Sequence, residues 1–227
     1  MCRSRKTRGA DLRYARSMNA IELPFRDRLQ AAALLAERLQ HLRASHPLVL
    51  AIPRGAVPMA ALIAERLQGE LDVVLVRKIP SAIDPELAVG AVDEHGNREL
   101  ASYFHRTRTS MEWVELQTRE QQELMQRRRA AYGRAPANAA GRTVIVVDDG
   151  LATGSTMAAA LRTLRVQQPQ RLVAAVPVAS PDALELVAPL ADEVQCLAAP
   201  MHFVSVSLHY EQFPQVEESE VIALLSR

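Results

Sequence analysis

The chain has 227 residues, of which 48% are hydrophobic, and its 27 basic and 26 acidic residues leave a net charge of +1. This size and apolar content fit one large α/β domain, and the charge gives no reason to expect a nucleic-acid partner. No stretch has the length and apolarity of a membrane helix, and the two cysteines cannot form a disulfide framework, so we expect a cytoplasmic protein without membrane contact.

The first residues differ from the rest in charge. Residues 1–18 hold six of the basic residues and one acid, Asp11, which leaves 21 basic and 25 acidic residues in the remainder. The segment lacks the apolar stretch of a secretion signal. We expect residues 1–20 to be a basic extension, either disordered or encoded upstream of a true start at Met18.

The first βα unit follows a helix predicted over Arg26–Leu42 by its apolar period. Leu48–Ile52 is predicted to be a buried strand and Val57–Leu67 a helix, with the turn Pro53-Arg54-Gly55-Ala56 between them. Arg54 and Gly55 would offer charge and bare backbone to an anionic ligand. A plain turn with a surface arginine explains the same residues.

A second apolar run, Asp72–Val76, is predicted to be a central strand that ends in Arg77-Lys78. Cations at the carboxyl end of such a strand would point into a ligand crevice, although a basic surface loop is the alternative. The next segment, Ser81–Gly96, carries Pro85 and Gly90 as breaks in any regular pattern. It favours a loop, with Ala88–Val92 as one strand of a hairpin.

A long polar helix is predicted over Arg108–Tyr132. Trp113, Leu116 and Leu124 give it a narrow apolar stripe, so we expect a surface or dimer-forming helix. Its last turn contains Arg127-Arg128-Arg129, which we interpret as a solvated end that suits the helix dipole.

The most informative stretch is Val144–Thr156, which reads VIVVDDGLATGST. Four apolar residues form a strand buried on both faces, two acids follow, and a loop of small residues leads into a helix. Free N–H groups and hydroxyls at a helix start can hold a phosphate. Asp148 and Asp149 would accept hydrogen bonds from ribose hydroxyls or face a magnesium ion. A solvated Asp-Asp turn with a helix cap is the alternative.

Two more strands, Arg171–Val178 and Glu193–Leu197, flank a helix over Pro181–Leu190, which completes five apolar runs separated by helices. This order predicts an α/β fold with an open, mostly parallel five-stranded sheet flanked by helices. From Pro200 the composition shifts to FVSVSLHYEQF. Its rings would either stack on a planar base or pack a C-terminal helix, Glu217–Leu225, onto the sheet.

The string VIVVDDGLATGST resembles the phosphoribosyl-pyrophosphate motif of type I phosphoribosyltransferases, and PELAVGAV is similar to a string in bacterial members of unassigned substrate. The resemblance implies a core over residues 21–199, a mobile loop over 78–100 and a small C-terminal hood over 200–227. It implies that phosphoribosyl pyrophosphate is bound by Arg54, Gly55, Arg77, Lys78, Asp148, Asp149, Ala152, Thr153, Gly154, Ser155 and Thr156.

The resemblance also implies a magnesium-dependent transfer to a small planar base, in a homodimer. We expect Asp148 and Asp149 to contact the metal indirectly, through ribose hydroxyls or water, and Lys78 and Glu86 to act in catalysis. Phe203 and Tyr210 are the candidate base-binding rings.

Two questions stay open at the level of sequence. The 6-oxopurine enzymes of the family carry an acid where this chain has Ala152, which weakens the case for hypoxanthine or guanine, and the base is not identified. No general base is evident beyond Glu86, His209 and Tyr210. A regulatory protein of the same fold, binding phosphoribosyl pyrophosphate or a nucleotide without catalysis, is therefore the alternative to an enzyme.

Overall fold

A computed structural model describes residues 22–85 and 87–226. The predictions for residues 1–20 and for Glu86 lie outside these residues. The strands are β1 (Leu48–Ala51), β2 (Glu70–Val73), β3 (Val76–Pro80), β4 (Ala88–Asp93), β5 (Arg98–Leu100), β6 (Thr143–Val147), β7 (Arg171–Val178) and β8 (Glu193–Ala198). The helices are α1 (Arg28–Arg38), α2 (Val57–Leu67), α3 (Met111–Ala131), α4 (Ser155–Val166), α5 (Pro181–Val187) and α6 (Glu218–Leu225).

The main sheet has five strands in the order β2-β1-β6-β7-β8, and every neighbouring pair is parallel. The five-stranded sheet predicted from the apolar runs is therefore confirmed. Alternate side chains of each strand enter different clusters, with Val49 and Ala51 on one face and Leu48 and Leu50 on the other. Because both faces are covered, the strands read as unbroken apolar runs.

Helices cover the two faces unequally. Buried side chains of α1, α2 and α6 pack with one face of the main sheet, and those of α4 and α5 pack with the other. Helix α1 begins after Asp27, whose carboxylate accepts the N–H of Gln30 at 2.8 Å. It ends at Arg38, before a short 3-10 turn over Gln40–Ser45, so the prediction of one helix as far as Leu42 was too long.

The second sheet is antiparallel, in the order β3-β4-β5, and it packs against α3 and α4. Its first strand corrects the sequence prediction, which continued β2 to Val76 and placed Arg77 and Lys78 at its end. Val74 still donates its N–H to Ala51 at 3.0 Å, but the chain then leaves the main sheet and starts β3. Val74 and Leu75 are buried at this crossing, so the apolar run hides the change of sheet.

Helix α3 has the exposed leucines expected of a surface helix, but it differs from the prediction in its last turn. Leu116 and Leu124 are exposed, whereas Val114, Met125 and Arg129 are buried. The Arg129 guanidinium donates to Asp72 at 2.7 Å and to both carboxylate oxygens of Glu94. The prediction of a solvated arginine was therefore wrong at this residue, because two acids from outside the helix pair with it.

In the part of the chain that the structure describes, no helix is both long enough and apolar enough to cross a membrane.

Candidate functional site

The candidate site lies where the order of the main sheet reverses. From β1 the chain proceeds outward to β2, whereas β6, β7 and β8 extend in the other direction. In open α/β sheets such a reversal leaves a crevice beyond the carboxyl ends of the two central strands, where ligands bind. Arg54 and Gly55 follow β1 at this edge, and Asp148 and Asp149 follow β6.

The turn after β1 touches the acid pair. A Cβ built on Gly55 would overlap the Asp149 carboxylate, so no larger residue fits here while that carboxylate keeps its position. The peptide bond between Pro53 and Arg54 is cis. The family resemblance assigned Gly55 and Asp149 to one site, and the structure brings the Gly55 backbone next to the Asp149 carboxylate.

The two acids lie in different electrostatic environments. Burial and the charge of Asp149 raise the pKa of Asp148 well above its usual range, and the carboxylate accepts the Asp149 N–H at 2.9 Å. Burial also raises the pKa of Asp149, but the Arg28 guanidinium opposes this shift. Arg28 donates to Asp149 Oδ2 from Nε at 3.0 Å and from Nη2 at 2.8 Å.

The small-residue loop leads directly into α4. Gly154 has φ of 71°, a left-handed conformation that suits glycine, and it precedes the first helical residue, Ser155. Within the described chain, the N–H groups of Thr153, Gly154 and Thr156 have no protein acceptor. Ser180 holds the Ala152 carbonyl at 2.7 Å. The loop can therefore present several free donors to one phosphate.

A cleft runs from this loop to the second sheet. The residues that line it are Ile52, Pro53, Val74, Leu75, Val76, Arg77, Leu124, Met125, Arg128 and Thr156. Arg77 and Arg128 are its charged walls, and neither forms a salt bridge with any described residue. Unpaired cations opposite a phosphate loop suit a ligand that carries several negative charges.

Three predicted cations reach this region differently. Arg77 lines the cleft, whereas Lys78 is the next residue of β3, and successive strand side chains point to opposite faces. Arg54 follows β1 and is not among the residues that line this cleft. Burial raises the pKa of Tyr132, and the charges of Arg128 and Arg54 both oppose this rise.

The C-terminal segment packs against Asp149. Tyr210 is 6% exposed, packs between Phe25 and Phe213, and donates its hydroxyl to the Asp149 carbonyl at 2.6 Å. Phe203 instead stacks on His209 with ring centroids 5.0 Å apart. Phe203 is partly exposed, so it keeps the predicted possibility of meeting a base, whereas the Tyr210 ring is occupied by its packing.

Sequence reasoning missed Arg28 and Arg128. Arg28 lies in the first turn of α1, about 120 positions before its partner, and no local pattern marks such a pair. Arg128 was assigned to a solvated helix end. Its place in a run of three arginines gives no local signal that Arg128, and not Arg127, lines the cleft. Glu86, the predicted loop acid, is not among the described residues.

Comparison with known proteins gives a consistent result. The family model of the phosphoribosyl transferase domain matches residues 27–212. A Mycobacterium tuberculosis protein named as a candidate phosphoribosyl transferase is 40% identical over an alignment of 209 residues, and the match covers 89% of this chain and 46% of that protein. This chain thus spans about half the length of that relative.

A protein of known crystal structure, TT1426 from Thermus thermophilus, is 43% identical. The match covers 89% of this chain and 98% of that protein, with a TM-score of 0.83. The acid pair and the phosphate-type loop lie within the matched residues of the family model. The chain belongs to the phosphoribosyl transferase domain family.

Proposed function

We propose that this protein is a magnesium-dependent phosphoribosyltransferase. It transfers the 5-phosphoribosyl group of phosphoribosyl pyrophosphate to a nitrogenous base and releases pyrophosphate. The observation that carries this proposal is the juxtaposition of an acid pair and a loop of free N–H donors at the end of β6, with the unpaired Arg77 and Arg128 in the cleft that Thr156 of this loop also lines. Each part matches one part of the donor: ribose, 5′-phosphate and pyrophosphate.

The 5′-phosphate is assigned to the loop of Ala152, Thr153, Gly154, Ser155 and Thr156. Free N–H groups and the positive end of α4 favour an anion there. The Thr153 and Ser155 hydroxyls lie 3.0 Å apart and can both turn towards a phosphate oxygen. This loop fixes one end of the donor.

The ribose is assigned to Asp148 and Asp149, which accept hydrogen bonds from its hydroxyls. As pyrophosphate departs, the ribosyl carbon gains positive charge, and two nearby carboxylates stabilise that charge. A nitrogen atom of the base then forms a bond to this carbon, while the carbon–oxygen bond to pyrophosphate breaks. The proton that the base loses has no acceptor assigned among the described residues.

The pyrophosphate is assigned to Arg54, Gly55, Arg77 and Arg128. Arginine donors are always charged and match phosphate oxygens in pairs. Lys78 belongs to the same strand as Arg77, and we include it as a residue that would reach the ligand only when the segment around it closes. Closure would also keep water from the ribosyl carbon.

Magnesium fits this site through the ligand rather than through the protein alone. The described residues contain no group of three acids, histidines or cysteines that could hold a metal. Asp148 is nevertheless a buried carboxylate without a salt bridge to any described residue, and such a group suits indirect contact through ribose hydroxyls or water. When bound, the ion would neutralise charge on the departing pyrophosphate.

Release of pyrophosphate from phosphoribosyl pyrophosphate, with magnesium and a panel of purine and pyrimidine bases, tests the proposal. We expect turnover with one class of base and none after chelation of magnesium. Asp148→Asn with Asp149→Asn should remove turnover and weaken donor binding at least tenfold, about 1.4 kcal/mol. Glu65→Gln, an exposed acid on α2, is the matched control and should leave both unchanged.

Two results would go against the enzyme. Tight donor binding without pyrophosphate release for any base would favour the regulatory alternative. Unchanged donor affinity in a folded double variant would remove the ribose role of the acids. The cytoplasmic location and the homodimer both stay predictions. Sedimentation of the purified protein tests the homodimer.

A further inference from the structure

Arg28 is the most heavily engaged cation near the acid pair. Its side chain is 10% exposed. Nε and Nη2 donate to Asp149 Oδ2, and Nη1 donates to the Pro214 carbonyl at 2.6 Å. The guanidinium carbon lies 3.6 Å from the centre of the Phe213 ring. Arg28 thus joins the first turn of α1, the acid at the end of β6 and the C-terminal segment.

The pattern of these bonds orients the Asp149 carboxylate. Both N–H groups meet the same oxygen, Oδ2, so Oδ1 receives no hydrogen bond from Arg28 and stays available as an acceptor. Gly55 approaches the same carboxylate closely, and the Tyr210 hydroxyl holds the Asp149 carbonyl. Side chain and backbone are therefore held from three elements.

We propose that Arg28 is a positioning residue for ribose recognition, acting through Asp149. It fixes one carboxylate oxygen so that the other meets a ribose hydroxyl of the bound phosphoribosyl group. This inference rests on the ribose role proposed for Asp149. It does not place Arg28 in contact with the ligand, and it assigns Arg28 no part in holding the 5′-phosphate.

The C-terminal segment has a defined part in this arrangement. Phe213 covers one face of the guanidinium, and the Pro214 carbonyl accepts a hydrogen bond from Nη1, the nitrogen that does not bond to Asp149. A cation that is held on an aromatic face and by three hydrogen bonds loses little freedom when a ligand arrives. Phe213 is therefore assigned to the support of Arg28 rather than to the base.

The test compares two probes, ribose 5-phosphate and inorganic phosphate, by calorimetric titration of the full chain. Only ribose 5-phosphate has hydroxyls for Asp149. We expect Arg28→Gln to lower the affinity for ribose 5-phosphate at least tenfold and to change the affinity for inorganic phosphate less than twofold. Arg28→Lys keeps the charge without the fork of donors, so it should recover part of the loss. Arg26→Gln, an exposed neighbour, is the control.

A double-variant cycle shows whether the effect passes through Asp149. If it does, Arg28→Gln combined with Asp149→Asn should bind ribose 5-phosphate within about twofold of Asp149→Asn alone. Additive losses would overturn the proposal, and so would equal losses for both probes or tighter ribose 5-phosphate binding in Arg28→Gln. If Arg28→Gln does not fold, Arg28→Lys replaces it in the cycle, with an expected loss of about threefold.

The result also separates this inference from the proposed function. If wild type and Arg28→Gln bind ribose 5-phosphate equally well, the positioning role of Arg28 is overturned and the proposed function is not. Wild-type protein that binds inorganic phosphate and ribose 5-phosphate with equal affinity removes the ribose role of Asp149, and both proposals then fail.

Discussion

Asp148 and Asp149 are adjacent in the chain, yet only one of them has a cationic partner. Arg28 pairs with Asp149, whereas Asp148 forms no salt bridge with any described residue and lies beside a second negative charge. Burial of an ionised group without a partner destabilises a fold. Asp148 therefore combines a proposed functional role with a cost in stability, as residues of binding sites often do.

We predict that Asp148→Asn raises the melting temperature at pH 8 and weakens the binding of ribose 5-phosphate. Because the folded-state pKa of Asp148 is raised, the carboxyl destabilises the protein fully above that pKa, and the cost falls as the pH drops from that pKa towards the lower pKa of the unfolded chain. Removal of the charge should therefore stabilise the protein at pH 8, and each kcal/mol gained raises the melting temperature by roughly 2–4 °C for a chain of this length.

Scanning calorimetry of both proteins at pH 8 and pH 5, without magnesium, checks this prediction. The gap between wild type and Asp148→Asn should shrink at the lower pH. A gap that stays constant or grows at pH 5 would mean that Asp148 does not carry the raised pKa.

At the scale of elements, the sequence predicted the parts that repeat a simple pattern. Helix α2 has the predicted bounds, Val57–Leu67, and the strand of the central motif is β6. Such runs are readable because both faces of each main-sheet strand are buried. The change of sheet at Val74 could not be predicted from the sequence, because the residues that cross between the two sheets are as apolar as the strand before them.

The residues themselves predicted the contiguous part of the candidate site, whereas Gly55 and Arg77 were assigned to it through the family resemblance. The acid pair and the small-residue loop form one string, so their proximity follows from the chain itself. Arg28 and Arg128 come to the site from α1 and α3, and their contacts depend on packing between distant elements. A single sequence carries no local signal for such long-range pairs.

The placement of β3 leads to a prediction about its two cations. Arg77 lines the cleft and Lys78 lies on the other face of the strand. We expect Arg77→Ala and Arg128→Ala each to lower the affinity for inorganic pyrophosphate about tenfold, because each variant loses a charge-assisted contact with a phosphate oxygen. Lys78→Ala should lower the affinity for pyrophosphate alone threefold or less.

Calorimetric titration with pyrophosphate and magnesium measures these effects, and Arg127→Ala, an exposed residue of α3, is the control. Equal losses for Arg77→Ala and Lys78→Ala would show that both cations meet the leaving group. That outcome would return Lys78 to the role that the sequence predicted for it.

At the scale of the whole molecule, a buried ion network connects the second sheet to the main sheet. Arg129 of α3 pairs with Asp72 of β2 and with Glu94, which lies between β4 and β5, and it also donates to the Val73 carbonyl at 2.9 Å. Asp72 in turn accepts the Ala137 N–H at 2.8 Å. This network holds one end of the second sheet, far from residues 82–85 and 87, which are exposed.

The sequence predicted one mobile loop over residues 78–100, and the network suggests a division of that range. We predict that limited proteolysis of the free protein cuts between residues 82 and 87, and that residues 93–100 resist cleavage because Glu94 and its neighbours are tied to α3. Magnesium with phosphoribosyl pyrophosphate should protect the cut site, since a ligand that contacts Arg77 favours a closed segment.

The variant Arg129→Met tests whether residues 82–87 and residues 93–100 behave as two separate parts of the predicted loop. It leaves two buried acids without their cation, and such losses destabilise proteins by about 3–5 kcal/mol. We expect a lower melting temperature and new cleavage within residues 93–100, read by mass spectrometry of the fragments, whereas Arg127→Met should change neither. If Arg129→Met is cut only between residues 82 and 87 and keeps its melting temperature, the network does not hold the second sheet, and the whole range would move as one loop.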